Sequence, residues 1–202
     1  MKKMFLLAVL ALALPTALFA GSGVDYTNSG GTLSGSNGGL MLSGSVLVAV
    51  NGLNGGGLIT GNDLGSVSFQ TGALSSGSLA MGGTFAAGGW FTIAGNGSNG
   101  VPTGTLFTGT FDQPVTWTMV TLGNGTHNYT LTGTLTGTTN SGSSAVGVTV
   151  QLTINTGKGF FCGRTTISSG DTNVVVPEPG SLSLFVTGLI GLAGAIRRKL
   201  KA

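Results

Sequence analysis

Three stretches of this chain alternate apolar and polar residues with a period of two. "NYTLTGTLT" sets Tyr129, Leu131 and Leu135 on one face against Thr130, Thr132, Thr134 and Thr136. "VGVTVQLTI" sets Val146, Val148, Val150, Leu152 and Ile154 against Gly147, Thr149, Gln151 and Thr153. "VTWTMVTL" sets Val115, Trp117 and Met119 against Thr116 and Thr118. Successive side chains of a strand point to opposite faces, so this period specifies half-buried antiparallel strands. Fainter strand patterns run over 45–50, 66–70, 79–86, 90–94 and 105–111. "LGNGTH" joins two strong strands and reads as a hairpin turn, because Asn-Gly tolerates positive φ.

Residues 21–176 show no helical period. Short strands separated by Gly, Asn and Ser turns therefore predict an all-β fold, an antiparallel β-sandwich-like domain over 45–168. A barrel is the neighbouring solution. "GTL", "GSL" and "GTF" recur without fixed spacing, which ranks a β-solenoid second. The start, 21–44, is poor in apolar residues and is expected to be a Gly/Ser-rich flexible leader. "SSGDTNVVV" leads to the expectation of an exposed linker over 169–176. Thr-rich outer faces keep a sheet wet without charge, while so few charges leave its edges unprotected. Lateral association with like molecules or with neutral polysaccharide is physically easy on such a surface.

Only 6% of the 202 residues are charged, and their placement decides what the net +3 means. Lys2 and Lys3 stand near the start; Arg197, Arg198, Lys199 and Lys201 stand near residue 202. Between them, Lys158 and Arg164 face Asp25, Asp63, Asp112 and Asp171, a balance of −2 over residues 21–176. Nucleic acid is thereby excluded as a partner, since binding phosphates needs clustered Lys and Arg.

The two ends read as addresses. "MKKMFLLAVLALALPTALFA" has a positive n-region, an apolar h-region, a helix-breaking Pro15 and a small Ala20 before Gly21. That is the pattern of a secretory signal helix over 1–20, cut between Ala20 and Gly21 by signal peptidase. Residues 180–196, "GSLSLFVTGLIGLAGAI", carry no charge and as a helix would rise roughly 25 Å, enough for a thin bilayer. Gly188, Gly191 and Gly194 recur every third residue, giving a smooth face for close packing. Arg197, Arg198 and Lys199 form a membrane stop held in the cytoplasm by the positive-inside rule. The expected intermediate spans the inner membrane once, transiently, with its body outside.

Pro177, Glu178 and Pro179, followed by this apolar run and then Arg197 and Arg198, resemble the PEP-CTERM sorting signal. The resemblance covers 177–202. It implies recognition by an exosortase, a membrane-embedded transpeptidase-like enzyme that processes the tripeptide region. It also implies a Gram-negative bacterium that makes exopolysaccharide. Proline fixes φ and lacks an N–H, so Pro-x-Pro holds the chain extended where such an enzyme can read it.

The supply of chemical groups is thin. His127, the sole histidine, follows the Asn124-Gly125 turn and is expected to be solvated. Cys162, the sole cysteine, is expected to be a buried small hydrophobe beside Phe160 and Phe161, and it permits no internal disulfide. "GNGSNG" matches G-x-G-x-x-G but precedes Pro102 and strand-like residues, so it reads as a turn. Asp63 in "TGNDLG" reads as a turn former. No serine stands in G-x-S-x-G, and the four body aspartates are isolated in sequence, so a glycosidase pair is not visible. No catalytic residue, metal site or cofactor is expected. Trp117 alternates in phase with the core, whereas Trp90 is the candidate for an exposed aromatic and a glycan contact. The expectation is a non-enzymatic exported protein of the cell surface or extracellular matrix, structural or adhesive within exopolysaccharide. A carbohydrate-binding module using exposed aromatics is the alternative.

Overall fold

The computed structural model describes residues 22–176. Thirteen strands follow in order: β1 (Ser22–Ser29), β2 (Thr32–Ser36), β3 (Gly39–Asn51), β4 (Ile59–Gln70), β5 (Leu74–Ser78), β6 (Gly82–Phe85) and β7 (Gly88–Asn96). The second series is β8 (Thr103–Phe111), β9 (Val115–Thr121), β10 (His127–Thr139), β11 (Ser144–Asn155), β12 (Arg164–Thr166) and β13 (Ser169–Val176). Among the described residues no helix is long and apolar enough to cross a membrane. The expected signal helix (1–20) and membrane segment (180–196) lie outside them.

Eight strands close a ring in the order β10–β11–β13–β1–β3–β4–β7–β8, with β8 pairing back onto β10. The fold is thus all-β and antiparallel as expected, but it closes as an eight-stranded barrel rather than as two facing sheets. Eight strands leave an interior that side chains can just fill. Phe69 and Phe91 stack at 5.8 Å there, and Phe111 meets both edge-on at 6.0 and 6.3 Å. Phe107 lies 6.2 Å from Phe91, and all four rings are buried.

The 13-residue strands β3 and β10 each change partner along one edge. β2 pairs Gly39–Ser43 of β3, and β1 takes over from Val46 to Asn51. Likewise β9 pairs β10 from His127 to Thr132, and β8 takes over from Leu135 to Thr139. The opposite edges are held by β4 and β11. β1–β2–β3–β4–β7 and β8–β9–β10–β11–β13 therefore share one connectivity, and each half sends a short insert across to the other. β6 pairs β9, and β12 pairs β2. The repeat lies in the strand connectivity, and the "GTL" and "GTF" units do not fall at equivalent places in the two halves.

A second apolar cluster forms where those inserts cross. Trp117 stacks on Tyr129 at 5.0 Å, with Phe161 edge-on to Trp117 at 5.5 Å. Its polar atoms are satisfied by backbone: Trp117 Nε1 donates to Leu79 O (2.9 Å), Tyr129 Oη donates to Ala80 O (2.6 Å), and Phe161 N donates to Tyr129 Oη (3.0 Å).

Two expected boundaries are corrected. Residues 21–44 are not a flexible leader: from Ser22 they form β1, β2 and the start of β3, and the compact unit begins at Gly23. Four of their six apolar residues, Tyr26, Leu33, Leu40 and Leu42, are buried, while Gly30 and Gly31 make the β1–β2 turn with φ of 65° and 81°. Residues 169–176 are not a linker but β13, paired with β11 through five positions from Thr153↔Ser169 to Thr149↔Asn173. Its inward Gly170 and Thr172 carry no apolar side chain, so the alternation is invisible in sequence. Val146 is also corrected. A register shift after Leu135 turns it outward, 61% exposed, and Ala145 takes the inward place.

Candidate functional site

The sorting tripeptide Pro177, Glu178 and Pro179, the stop residues Arg197, Arg198 and Lys199, and the cleavage pair Ala20 and Gly21 all lie outside the described residues. Among described positions, Trp90 is 41% exposed, as its lack of phase with the core predicts. The β7–β8 register shifts between Gly88 and Phe91, and Gly88 and Gly89 hold φ of 103° and 78°. Such bulges re-aim a side chain. At Gly89 the glycine is required twice, because a Cβ would also overlap the Gln70 carbonyl oxygen. Strand registers place Trp90 at the end of a transverse row: Arg164, Ser34, Met41, Gln70, Trp90.

A second row crosses the opposite wall of the ring. Thr116 pairs Thr132, Thr132 pairs Gln151, and Gln151 pairs Asp171, on β9, β10, β11 and β13. All four side chains are exposed. They floor an open groove of about 480 Å³, walled by Gln113 and Pro114 where the chain steps from β8 to β9. Asp112 pins that step. Its two carboxylate oxygens accept from Thr134 Oγ1 (2.6 Å) and Thr136 Oγ1 (2.7 Å), and these bonds hold its carboxyl below the usual range.

At the end of the groove the fold assembles a pair that sequence separation hid. Asp171 on β13 meets Asp25 on β1, where Thr27 Oγ1 donates to Asp171 Oδ1 (3.3 Å). Burial first, then the Asp171 charge and a hydrogen bond shared with it, push the Asp25 carboxyl up. Asp25 Oδ1 is buried without a partner. Only the closed ring brings these residues together, and no short-range sequence signal marks them.

Other expectations divide. Trp117 is buried, and residues 97–100 form a turn with Gly97 at φ 90° and Asn99 at φ 54°. Asp63 accepts from Gly65 N (3.1 Å) and Asn96 Nδ2 (3.0 Å), as a turn former should. His127, expected in solvent, is instead only 7% exposed: it stacks under Phe160 at 4.4 Å, and its Nδ1 lies 3.0 Å from Thr121 Oγ1. Cys162, expected in the core, is exposed, because alternation in the 157–164 loop sends Phe161 inward instead.

No curated protein and no solved structure matches the chain. Residues 175–199 match a family, the PEP-CTERM protein-sorting motif, whose first residues fall inside β13. The motif implies export, processing by exosortase-type machinery and sorting to the cell surface. What the match shows is therefore a PEP-CTERM sorting motif over residues 175–199, attached to a barrel that no comparison assigns.

Proposed function

We propose that the barrel is a non-enzymatic structural or adhesive component of the cell envelope or extracellular matrix, held among exopolysaccharide. The observation that carries this reading is the surface delivered by the sorting motif. Its outward side chains are mostly hydroxyls and amides, and residues 22–176 hold only six charged side chains. Such a face hydrogen-bonds polyols and repels little. In this reading a Gram-negative cell exports the chain through its signal peptide, cut after Ala20. Residues 180–196 span the inner membrane until the exosortase acts at Pro177, Glu178 and Pro179, and Arg197, Arg198 and Lys199 hold the stop. Deleting residues 177–179 in a host that encodes an exosortase and makes exopolysaccharide tests it. The expected result is an unprocessed, membrane-retained chain and no protein in the matrix fraction; unchanged delivery overturns the reading.

A second reading, a carbohydrate-binding module, is favoured by one observation: the Gly88–Gly89 bulge holds Trp90 outward beside Gln70. A half-exposed indole offers an apolar face for a sugar ring, and Gln70 and Arg164 offer hydrogen bonds along the same row. Loss of glycan binding in Trp90→Ala separates this reading from the first.

A further inference from the structure

We propose that the groove between Gln113–Pro114 and the Thr116, Thr132, Gln151, Asp171 row binds an extended chain of uncharged sugar residues. This rests on the exopolysaccharide setting proposed above and gives it a site. At about 480 Å³ the groove falls in the size range of small-molecule sites. It is open along the row, as a polymer requires, rather than closed around a single molecule.

The floor decides the ligand class. The row offers two hydroxyls, one amide and one carboxyl, while Pro114 and the threonine methyls leave apolar surface beside them, a mixture that suits sugar rings, which present both hydroxyls and C–H faces. The charges around the floor are Asp171, its neighbour Asp25, and Asp112, which bonds the groove-lining Thr134, and the flanking strands β9, β10 and β11 carry no Lys or Arg. An anionic polymer would meet uncompensated negative charge, so the polymer is neutral. Neighbouring strands lie about 4.8 Å apart, so successive floor groups recur at that interval and the row runs roughly 14 Å. Each interval is close to the length of one pyranose unit in an extended glycan, so one floor residue meets each sugar. Thr and Gln donate and accept, and Asp171 accepts from paired sugar hydroxyls. The floor also needs no ordering on binding, because every residue in it sits on a paired strand.

This row and the Trp90 row lie on opposite walls of the ring, so their contributions separate cleanly. The test uses the full chain in detergent micelles, with dextran and cellohexaose as neutral probes and alginate as the acidic one, read by calorimetry or affinity electrophoresis. Thr132→Val with Gln151→Ala should weaken neutral-glycan binding about tenfold or more, from the loss of two hydrogen-bonding groups. Trp90→Ala should leave it unchanged. Thermal melting checks that the double variant folds; should it fail to, Thr116→Val replaces it with the same expected direction. Neutral binding that survives the groove variants and disappears with Trp90→Ala overturns the groove while keeping a glycan-binding protein. Preference for alginate, or no binding to any glycan, overturns the groove outright. The exopolysaccharide reading is then judged separately by the matrix fractionation of the 177–179 deletion.

Discussion

The pair formed by Asp25 and Asp171 makes an unusual demand on the barrel: the seam that closes it should be weakest at neutral pH. Asp25 titrates above its ordinary value because of burial, the nearby Asp171 charge and the hydrogen bond between them. Nothing ionisable on the flanking strands offsets this, since β3 and β11 place Asn51 and Gln151 at the facing positions. The folded chain therefore holds a proton that the unfolded chain has already released. With the unfolded value at 3.8, stability is fully present below that pH and falls as pH rises through the raised folded value, then levels off. Asp171→Asn removes one charge, keeps an oxygen for Thr27 and supplies an N–H to the unpartnered Asp25 Oδ1. Two carboxylates about 4 Å apart repel by about 1 kcal/mol in water and about 4 at an effective dielectric of 20. Asp25 is only partly buried, which places the gain near the lower end, about 1–2 kcal/mol. For a domain of this size that raises Tm by roughly 2–8 °C at pH 7.5. Thermal melting of the full chain in detergent from pH 3.5 to 8 reads both effects: a falling wild-type profile above pH 4, and a higher, shallower one for the variant, in which burial of Asp25 still acts. A lower Tm for Asp171→Asn at pH 7.5, or a wild-type profile that rises between pH 4 and 7, refutes the reasoning.

Asp112 should show the opposite sign in a separate window. Its lowered pKa contributes stability above 3.8 that is lost as pH falls through the folded value, so Asp112→Ala should cost about 1 kcal/mol at pH 6 and little below pH 3, by urea melts at both. In the second cluster, Tyr129→Phe strips the acceptor from Phe161 N and should cost about 1–3 kcal/mol in the same assay. A cost under about 0.5 kcal/mol would mean that the 157–164 loop finds another partner.

How much of this was legible beforehand depended on which residues fill the inward positions. β9, β10 and β11 read clearly because Trp117, Leu131 and Leu152 are apolar where the barrel needs them. β13 was unreadable because Gly170 does the same job: a Cβ there would strike the side-chain oxygen of Asn28, itself buried and bonded to Ser45 Oγ at 2.7 Å. A small residue under a packed polar side chain fills space without leaving a hydrophobic pattern. Bulges hid the rest, since the extra residue Gly147 on β11, opposite the Leu135–Thr136 step of β10, reverses the sense of the alternation and exposes Val146. The carboxyl pair was hidden by distance, because Thr27 and Asp171 stand 144 positions apart and only ring closure brings them into contact.

Closure has one further consequence. Seven successive antiparallel pairings, from β13 through β11, β10, β8, β7, β4 and β3 to β1, alternate the strand direction seven times. The eighth pairing, β1 with β13, must then be antiparallel as well. The first residue of β1 and the last of β13 consequently lie at the same rim, so the chain enters and leaves the barrel side by side. The sorting motif at 175–199 thus begins at that rim, away from the Trp90 row at the other. The repeated connectivity of the two halves explains how such a ring arises. An even number of strands from two like halves returns the chain to its starting edge, whereas a half alone leaves β1 and β7 as open edges. The unpartnered Asp25 Oδ1 and Thr172 Oγ1 both sit on β1 and β13. The unpartnered buried side-chain oxygens among the described residues thus lie on the two strands of the seam, one of which carries the first residues of the sorting motif.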